Sequence, residues 1–182
     1  MKKIAICAAF FAAALTSQAS SATTFTEIGD AGQTLSTTQT VTGGTTSIVG
    51  GLGRGDLADV YKFGWNGGTF QASTSTNFDP MLFVFDSTGS KLAFNDDRSI
   101  FSLESFISIN LAAGTYLLGI DNWNSNYDGN LSGFGTSGDG FGSYTISLSS
   151  TAPVSAVPEP SVIALLGLGL LGLGMSRRRK AA

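Results

Sequence analysis

The chain has 182 residues, of which 42% are hydrophobic and 13% charged, and its formal net charge is −3. It contains no histidine, so composition excludes histidine-based catalysis and zinc hydrolysis. The single cysteine, Cys7, lies close to the N-terminus. Six of the ten cations lie at the two ends, which leaves the segment between them with a charge of 4 − 13 = −9. This acidity excludes nucleic acid as a partner and favours divalent cations.

The N-terminus has the pattern of a secretory signal peptide. Lys2 and Lys3 supply a positive start, residues 4–15 are apolar, and small residues follow up to Ala22. We predict that residues 1–22 are a signal peptide and that the remainder is exported. Because Cys7 lies within the signal peptide, a cysteine nucleophile is excluded from the exported protein. Residues 23–45 are rich in threonine and weakly patterned, which predicts a lead-in segment with one edge strand.

The middle of the chain alternates short apolar and β-branched runs with Gly, Asn, Asp and Ser. Eight strands are predicted, at 47–52, 59–65, 69–76, 81–85, 91–95, 105–111, 115–121 and 143–149. Turns are expected at 86–89, at 65–68 as a hairpin, and at 113–114. The fold class is therefore all-β: a single antiparallel β-sandwich, jelly-roll-like, over residues 46–151, flanked by an N-terminal signal helix and a C-terminal apolar helix.

Four of these segments place large apolar residues on one face at a spacing of two, and we predict that these residues form the core. They are Tyr61, Phe63, Trp65, Ile107, Ile109, Leu111, Tyr116, Leu118, Ile120, Tyr144, Ile146 and Leu148. The run at 81–85 is apolar on both faces, as expected of a strand in the centre of a sandwich.

Five segments occur in an order that resembles a known domain family. They are DVYKF at 59–63, FDPMLFVFD at 78–86, LAFNDD at 92–97, LAAGTY at 111–116 and GSYTI at 142–146. Over residues 45–150 the chain resembles the bacterial pre-peptidase C-terminal domain, a calcium-associated β-sandwich often appended to secreted peptidases. Two departures are the absence of a peptidase from these 182 residues and a long Gly/Asn/Ser insertion at 122–142.

Several oxygen-bearing side chains are predicted to meet at one end of the sandwich and to bind Ca²⁺, because each lies where a strand meets a loop. They are Asp79, Asn95, Asp96, Asp97 and Asp121. The alternative is that these short side chains cap strands and turns through hydrogen bonds. No catalytic residues are predicted, since the adjacent Asp96 and Asp97 would point to opposite faces of a strand, and the protein is expected to be non-enzymatic.

The 122–142 insertion contains Trp123, Tyr127, Phe134 and Phe141. Exposed aromatic rings in a loop can stack on sugars, and Trp123 and Tyr127 are the candidate ligand-binding residues. The alternative, that these rings pack the loop onto its own core, is favoured for such residues.

The C-terminal tail combines three features in order. A Pro-rich motif, Val157, Pro158, Glu159 and Pro160, ends the linker at 152–160; an uncharged Leu/Gly-rich span follows at 161–176; and the basic block RRRK opens the terminal segment at 177–182. The two prolines hold their segment extended, as a processing enzyme requires. The basic block predicts that the extreme C-terminus is cytoplasmic.

These features resemble the PEP-CTERM sorting signal of Gram-negative bacteria, which implies recognition and cleavage by an exosortase, a membrane transpeptidase. The apolar residues 161–175 would span about 22 Å as a helix, short of a bilayer core of about 30 Å. Transient retention in the inner membrane is therefore favoured over a permanent single-pass anchor. The resemblance also implies delivery to the cell surface or extracellular matrix and association with exopolysaccharide and biofilm. The competing hypothesis is a carbohydrate- or protein-binding module that acts through the 122–142 loop.

Overall fold

The computed structural model describes residues 22–123, 129–135, 140–149 and 151–152 of the chain. Eight strands account for most of them, and the one helical element is a 3₁₀ turn at Leu131–Gly133. The strands are β1 (Thr23–Thr26), β2 (Gln39–Thr40), β3 (Thr45–Leu52), β4 (Ala58–Thr76), β5 (Pro80–Asp86), β6 (Lys91–Asn95), β7 (Phe106–Asn122) and β8 (Gly142–Leu148). The predicted all-β class is confirmed. The two flanking helices were predicted for segments outside the described residues.

All eight strands are hydrogen-bonded into one sheet in the order β1-β3-β8-β4-β7-β5-β6, with β2 paired to β4. The sheet is mostly antiparallel, but β1 runs parallel to β3, and β2 runs parallel to β4. Parallel pairing requires a connection long enough to return the chain to its starting end. The 18-residue stretch between β1 and β3, 27–44, supplies that length. The expected edge strand in the threonine-rich segment is β1.

The predicted hairpin at 65–68 is wrong, since β4 is one strand of 19 residues that pairs with β7 on both sides of this point. The strand folds back on itself instead. The rings of Phe63 and Phe70 stack with centroids 4.8 Å apart, whereas seven residues of straight strand would separate them by about 23 Å. Gly67 and Gly68 both have φ of 97° at the bend, a conformation that favours glycine.

The predicted strand break at 113–114 is also wrong, because β7 continues through it and bends beside β4. The Trp65 indole N–H donates to the carbonyl of Gly68 across the β4 bend, at 3.2 Å. The hydroxyl of Tyr116 donates to the carbonyl of Ala112 across the β7 bend, at 3.0 Å. At one end of the sandwich, here called the bend end, β4 and β7 bend at 64–68 and 112–114. At the opposite end, here called the open end, lie the first and the last residues of β4.

The core lies between the two layers that this bend brings face to face. All twelve residues predicted from the alternation belong to it: nine are buried, and Trp65, Ile109 and Tyr116 are partly buried against them. The run at 81–85 divides as expected of a central strand. Leu82 and Val84 enter this inner core, while Phe83 and Phe85 face the opposite side.

A second hydrophobic cluster covers the outer face of the layer that contains β5. Phe134, from the 122–142 insertion, is buried there and meets the rings of Phe83 and Phe85 edge to face, with centroids 5.0 and 5.5 Å apart. The backbone N–H of Leu131 donates to the carbonyl of Gly89 at 2.9 Å. This part of the insertion therefore packs onto the sheet, in agreement with the packing alternative.

We predict that Phe134→Ala lowers the free energy of unfolding by about 3–5 kcal/mol, because it removes a buried aromatic ring and leaves a cavity. Urea unfolding followed by tryptophan fluorescence measures the change. Trp123→Ala is the matched control, since this ring is 51% exposed, and we expect it to cost less than about 1 kcal/mol. Equal effects of the two substitutions would contradict the assigned packing.

Candidate functional site

Two groups of carboxylates lie near the open end of the sandwich. The first acid cluster is Glu27, Asp30, Asp56 and Asp59, and the second acid cluster is Asp79, Asp96 and Asp97. In each cluster, one oxygen from every carboxylate lies within 4.8 Å of one from each of the others. Like charges this close repel one another unless protons or a cation neutralise them.

The first acid cluster is assembled by the parallel pairing of β1 with β3. Glu27 directly follows β1, and its N–H donates to the carbonyl of Val49 on β3 at 2.9 Å. Asp56 closes the tight turn between β3 and β4, where the N–H of Gly53 donates to its carbonyl at 2.8 Å. Asp59 is the second residue of β4. The cluster thus joins two segments that are far apart in sequence.

Backbone groups hold the carboxylate of Glu27 in place. One of its oxygens accepts from the N–H of Ala31 and the other from the N–H of Gly51, each at 2.9 Å. Gly50 makes room for this arrangement, since a Cβ there would lie 2.5 Å from Glu27 Oε2 and would also collide with the hydroxyl of Tyr144. The chain therefore positions the Glu27 side chain before any ligand arrives.

Asp59 is the buried member of the cluster, with no solvent exposure. Its Oδ2 accepts a 2.6 Å hydrogen bond from the hydroxyl of Tyr144, which also shares a short hydrogen bond with the hydroxyl of Tyr61. Its Oδ1 is buried without a hydrogen-bond partner among the described residues, and the same holds for Oδ1 of Asp56. Burying a charged oxygen in this way is unfavourable unless a proton or a cation compensates it.

The pKa values of the two aspartates reflect that cost. Burial raises the pKa of Asp59 to about 8, against the opposing hydrogen bond from Tyr144 and with a contribution from the negative charge of Glu27. Burial and the charges of Asp30 and Glu27 raise the pKa of Asp56 to about 6. Burial likewise raises the pKa of Tyr144, so its hydroxyl remains a hydrogen-bond donor.

The donor set of the first acid cluster fits a hard divalent cation. Its side-chain ligands are all carboxylate oxygens, which Ca²⁺ and Mg²⁺ prefer, and no soft or nitrogen ligand is among them. The orphaned Oδ1 atoms of Asp56 and Asp59 are the atoms that a bound ion would satisfy. Such an ion would supply positive charge that cancels the repulsion between four carboxylates.

The second acid cluster contains three of the five residues predicted to bind calcium. Burial and the charges of Asp96 and Asp97 raise the pKa of Asp79. Burial and the charge of Asp97 raise the pKa of Asp96. Asp79 and Asp96 are partly exposed and Asp97 is exposed, whereas Asp59 is fully buried. Oδ1 of Asp79 and Oδ1 of Asp96 are nevertheless buried without a hydrogen-bond partner among the described residues, as in the first acid cluster.

The other two predicted ligands have structural hydrogen bonds. Asn95 accepts from the N–H of Phe106 at 2.7 Å and donates to the carbonyl of Asp97 at 3.1 Å, which holds the loop that carries the second acid cluster. Asp121 is buried, lies outside both clusters, and accepts from the N–H groups of Asn122 and Gly135 at 2.8 and 3.1 Å. These contacts tie Gly135, which follows the buried Phe134, to β7.

The predicted ligand-binding residues are only partly described. The side chain of Trp123 is half exposed, and its backbone N–H donates to the carbonyl of Asp79 at 2.8 Å. Tyr127 lies outside the described residues, as do Val157, Pro158, Glu159 and Pro160 of the predicted sorting motif.

Sequence reasoning missed the first acid cluster. The spacing of its two pairs, E-x-x-D at 27–30 and D-x-x-D at 56–59, was a signal for it. The segment before residue 45 is weakly patterned, so the sequence did not predict that the pair at 27–30 would lie beside the pair at 56–59. Only the parallel pairing of β1 with β3 does so.

We predict that, in the presence of chelator, the free energy of unfolding falls as pH rises from 5 to 8.5. The folded protein holds a proton on Asp59 up to pH about 8, whereas the unfolded chain releases it near pH 4, so stability is lost as pH rises through that window. Urea titrations at the two pH values measure the change, and Asp59→Asn should flatten it. Stability that rises with pH in the wild-type protein would contradict the assignment.

No curated protein matched the chain. Its fold is similar to that in a 1.0 Å crystal structure of the pre-peptidase C-terminal domain of a collagenase from Bacillus anthracis. The TM-score is 0.44 at 16% sequence identity, over 71% of this chain and 97% of that domain.

No helix of the described residues is both long and apolar enough to cross a membrane, and the predicted apolar span at 161–176 lies outside them. Residues 156–180 match the family described as the PEP-CTERM protein-sorting motif. The match covers the Pro-Glu-Pro segment, the apolar span and the basic block together. The chain therefore carries a PEP-CTERM sorting motif, which indicates an exported surface protein processed at the membrane by an exosortase.

Proposed function

We propose that this protein is a non-enzymatic component of the cell surface or extracellular matrix, associated with exopolysaccharide and biofilm, whose exported domain is stabilised by Ca²⁺ at the first acid cluster. The sorting motif at 156–180 is the observation that carries the proposal. After transient retention in the inner membrane, the tail is cleaved and the domain is released to the outside.

The absence of histidine from the chain supports a non-enzymatic role. A pair of carboxylates remains as possible catalytic chemistry. In the first acid cluster, however, both oxygens of Glu27 accept backbone hydrogen bonds, and Asp59 is closed off from solvent. These are properties of a binding site rather than of groups that exchange protons with a substrate.

Hydrogen bonds of Thr151 and Ala152, the last described residues, support a position of the folded domain close to the membrane during processing. Thr151 Oγ1 donates to the carbonyl of Thr42 at 2.8 Å, and the N–H of Ala152 donates to the carbonyl of Gly64 at 2.8 Å. The chain is thus held to the sandwich up to residue 152, near the bend end. Six further residues reach Pro158, a span of at most about 20 Å, so the folded domain stays beside the processing enzyme.

We predict that the protein released from its native cells lacks the apolar span and basic block, because the exosortase cleaves near Pro158–Pro160. Intact-mass spectrometry of the released protein measures this. Replacing Pro158, Glu159 and Pro160 with alanine should leave the protein cell-bound with residues 161–182 attached. Pro153→Ala is the matched control, a proline outside the matched segment, and should be processed normally. A released wild-type protein that retains residues 161–182 would rule out processing.

We predict that Ca²⁺ in excess raises the melting temperature by about 5–10 °C over that in chelator, since an ion that binds only the folded state stabilises it. Differential scanning calorimetry measures the shift. Asp59→Asn should abolish the shift while keeping the domain folded in chelator, because the amide oxygen can still accept from Tyr144. An unchanged melting temperature in the wild-type protein would remove calcium from the proposal.

Asp96→Asn is the matched control for that experiment, because it removes a carboxylate from the second acid cluster. We expect it to retain the Ca²⁺ shift. If Asp96→Asn abolishes the shift and Asp59→Asn does not, calcium binds at the second acid cluster, as the sequence predicted.

A second candidate function is ligand binding through the 122–142 loop. The exposure of two of its aromatic rings favours this, with Trp123 51% and Phe141 44% exposed. The buried Phe134 belongs to the second hydrophobic cluster instead. If this loop binds the ligand, Trp123→Ala should abolish polysaccharide binding.

A further inference from the structure

A cleft of about 670 Å³ lies on the outer face of the layer that contains β5. Three segments form it: the loop at 33–36 between β1 and β2, the turn at 88–90 between β5 and β6, and the covering segment at 130–134. None of the carboxylates of either acid cluster lines it.

The wall of the cleft is neutral and rich in hydrogen-bonding groups. Its polar side chains are hydroxyls and carboxamides, and no charged side chain of the described residues lines it. They include Gln33, Ser36, Thr88, Ser90, Asn130 and Ser132. The apolar part consists of Leu131 and Phe134, which are buried at its base, and Leu35, which is 45% exposed. Binding sites for small organic ligands commonly combine apolar surface with a few convergent polar groups.

Hydrogen bonds within the wall hold its segments in place. The hydroxyl of Thr88 donates to Asp86 Oδ1 at 2.6 Å, and the hydroxyls of Thr34 and Ser36 share a hydrogen bond of 3.0 Å. Gly89 allows the turn to approach the covering segment, since a Cβ there would lie 2.9 Å from Cβ of Leu131. A wall that is ordered before binding loses less conformational entropy when a ligand arrives.

We infer that this cleft binds a segment of a neutral polysaccharide. Sugar hydroxyls both donate and accept hydrogen bonds, as do the hydroxyl and carboxamide groups of the wall, and the C–H face of a sugar ring can contact Leu35. A polyuronate is disfavoured, because the cleft offers no cation and the segment between the two ends of the chain carries a charge of −9. The inference rests on the proposed association with exopolysaccharide and names the surface responsible.

Binding of the purified full-length chain to dextran and galactomannan, with alginate as the charged comparison, tests the inference. We expect binding to at least one neutral polymer and none to alginate. The double variant Asn130→Ala/Ser132→Ala should bind about tenfold more weakly, because it removes two neutral hydrogen-bonding side chains. Ser36→Trp should abolish binding by filling the cleft. All variants should retain the wild-type melting temperature, since these side chains are exposed.

Two control variants locate the binding surface. Ser75→Ala, an exposed serine on β4 outside the cleft, and Trp123→Ala should both bind like the wild-type protein. Loss of binding in Trp123→Ala with normal binding in Ser36→Trp would overturn the inference and assign the ligand to the 122–142 loop. Failure of the wild-type protein to bind either neutral polymer, or equal binding to alginate, would also overturn it.

Recovery of the protein with precipitated extracellular polysaccharide from its native cells separates this inference from the proposed function. If the wild-type protein and Ser36→Trp are recovered equally, the cleft is not the binding surface, and matrix association stands. If the wild-type protein binds a neutral polymer in vitro but is absent from the precipitate, the cleft stands, and matrix association is contradicted.

Discussion

The fold-back of β4 and β7 is the constraint on which the rest of the structure depends. These two strands are paired over 58–73 of β4, and both bend at the same level, so one continuous sheet supplies both layers of the sandwich. The stacked rings of Phe63 and Phe70 show how closely the two halves of β4 approach. Because each long strand crosses from one layer to the other, its alternate residues enter a single core. The bend also places the start of β4, and with it Asp59, at the open end.

Asp59 links the core to the surface of the domain. Its carboxyl group is hydrogen-bonded to Tyr144, which contacts Tyr61 from the opposite layer, so the network joins the two layers beneath the first acid cluster. A proton or a divalent cation can compensate the same buried oxygen, and the two compete, because cation binding requires the ionised form. Calcium-binding modules of extracellular proteins work at calcium concentrations of about 0.1–1 mM. If calcium binds as proposed, the stability of the domain depends on the calcium concentration of its surroundings.

Local pattern predicted the core well and the strand connections poorly. Alternation with a period of two identified twelve core residues, because each strand buries one face against the other layer. The stretch at 65–68 contains Asn-Gly-Gly, which suits a hairpin turn, but the same glycines also permit a strand to bend with positive φ. The difference lies in the pairing partner: a hairpin would pair the two halves of β4 with each other, whereas both halves pair with β7. That choice depends on residues some 45 positions further along the chain.

The sequence by itself was enough to identify the sorting motif of this protein. The sorting motif is recognised from 25 contiguous residues at 156–180, so its identification needs no contact between distant segments. Composition likewise determined which catalytic chemistries are excluded. Only the tertiary structure decided where acidic and hydroxyl side chains converge: residues 27 and 59 meet through a parallel strand pair, and the cleft joins residues 33, 88 and 132. Such sites are formed by contacts between distant segments, and no local pattern encodes their distances.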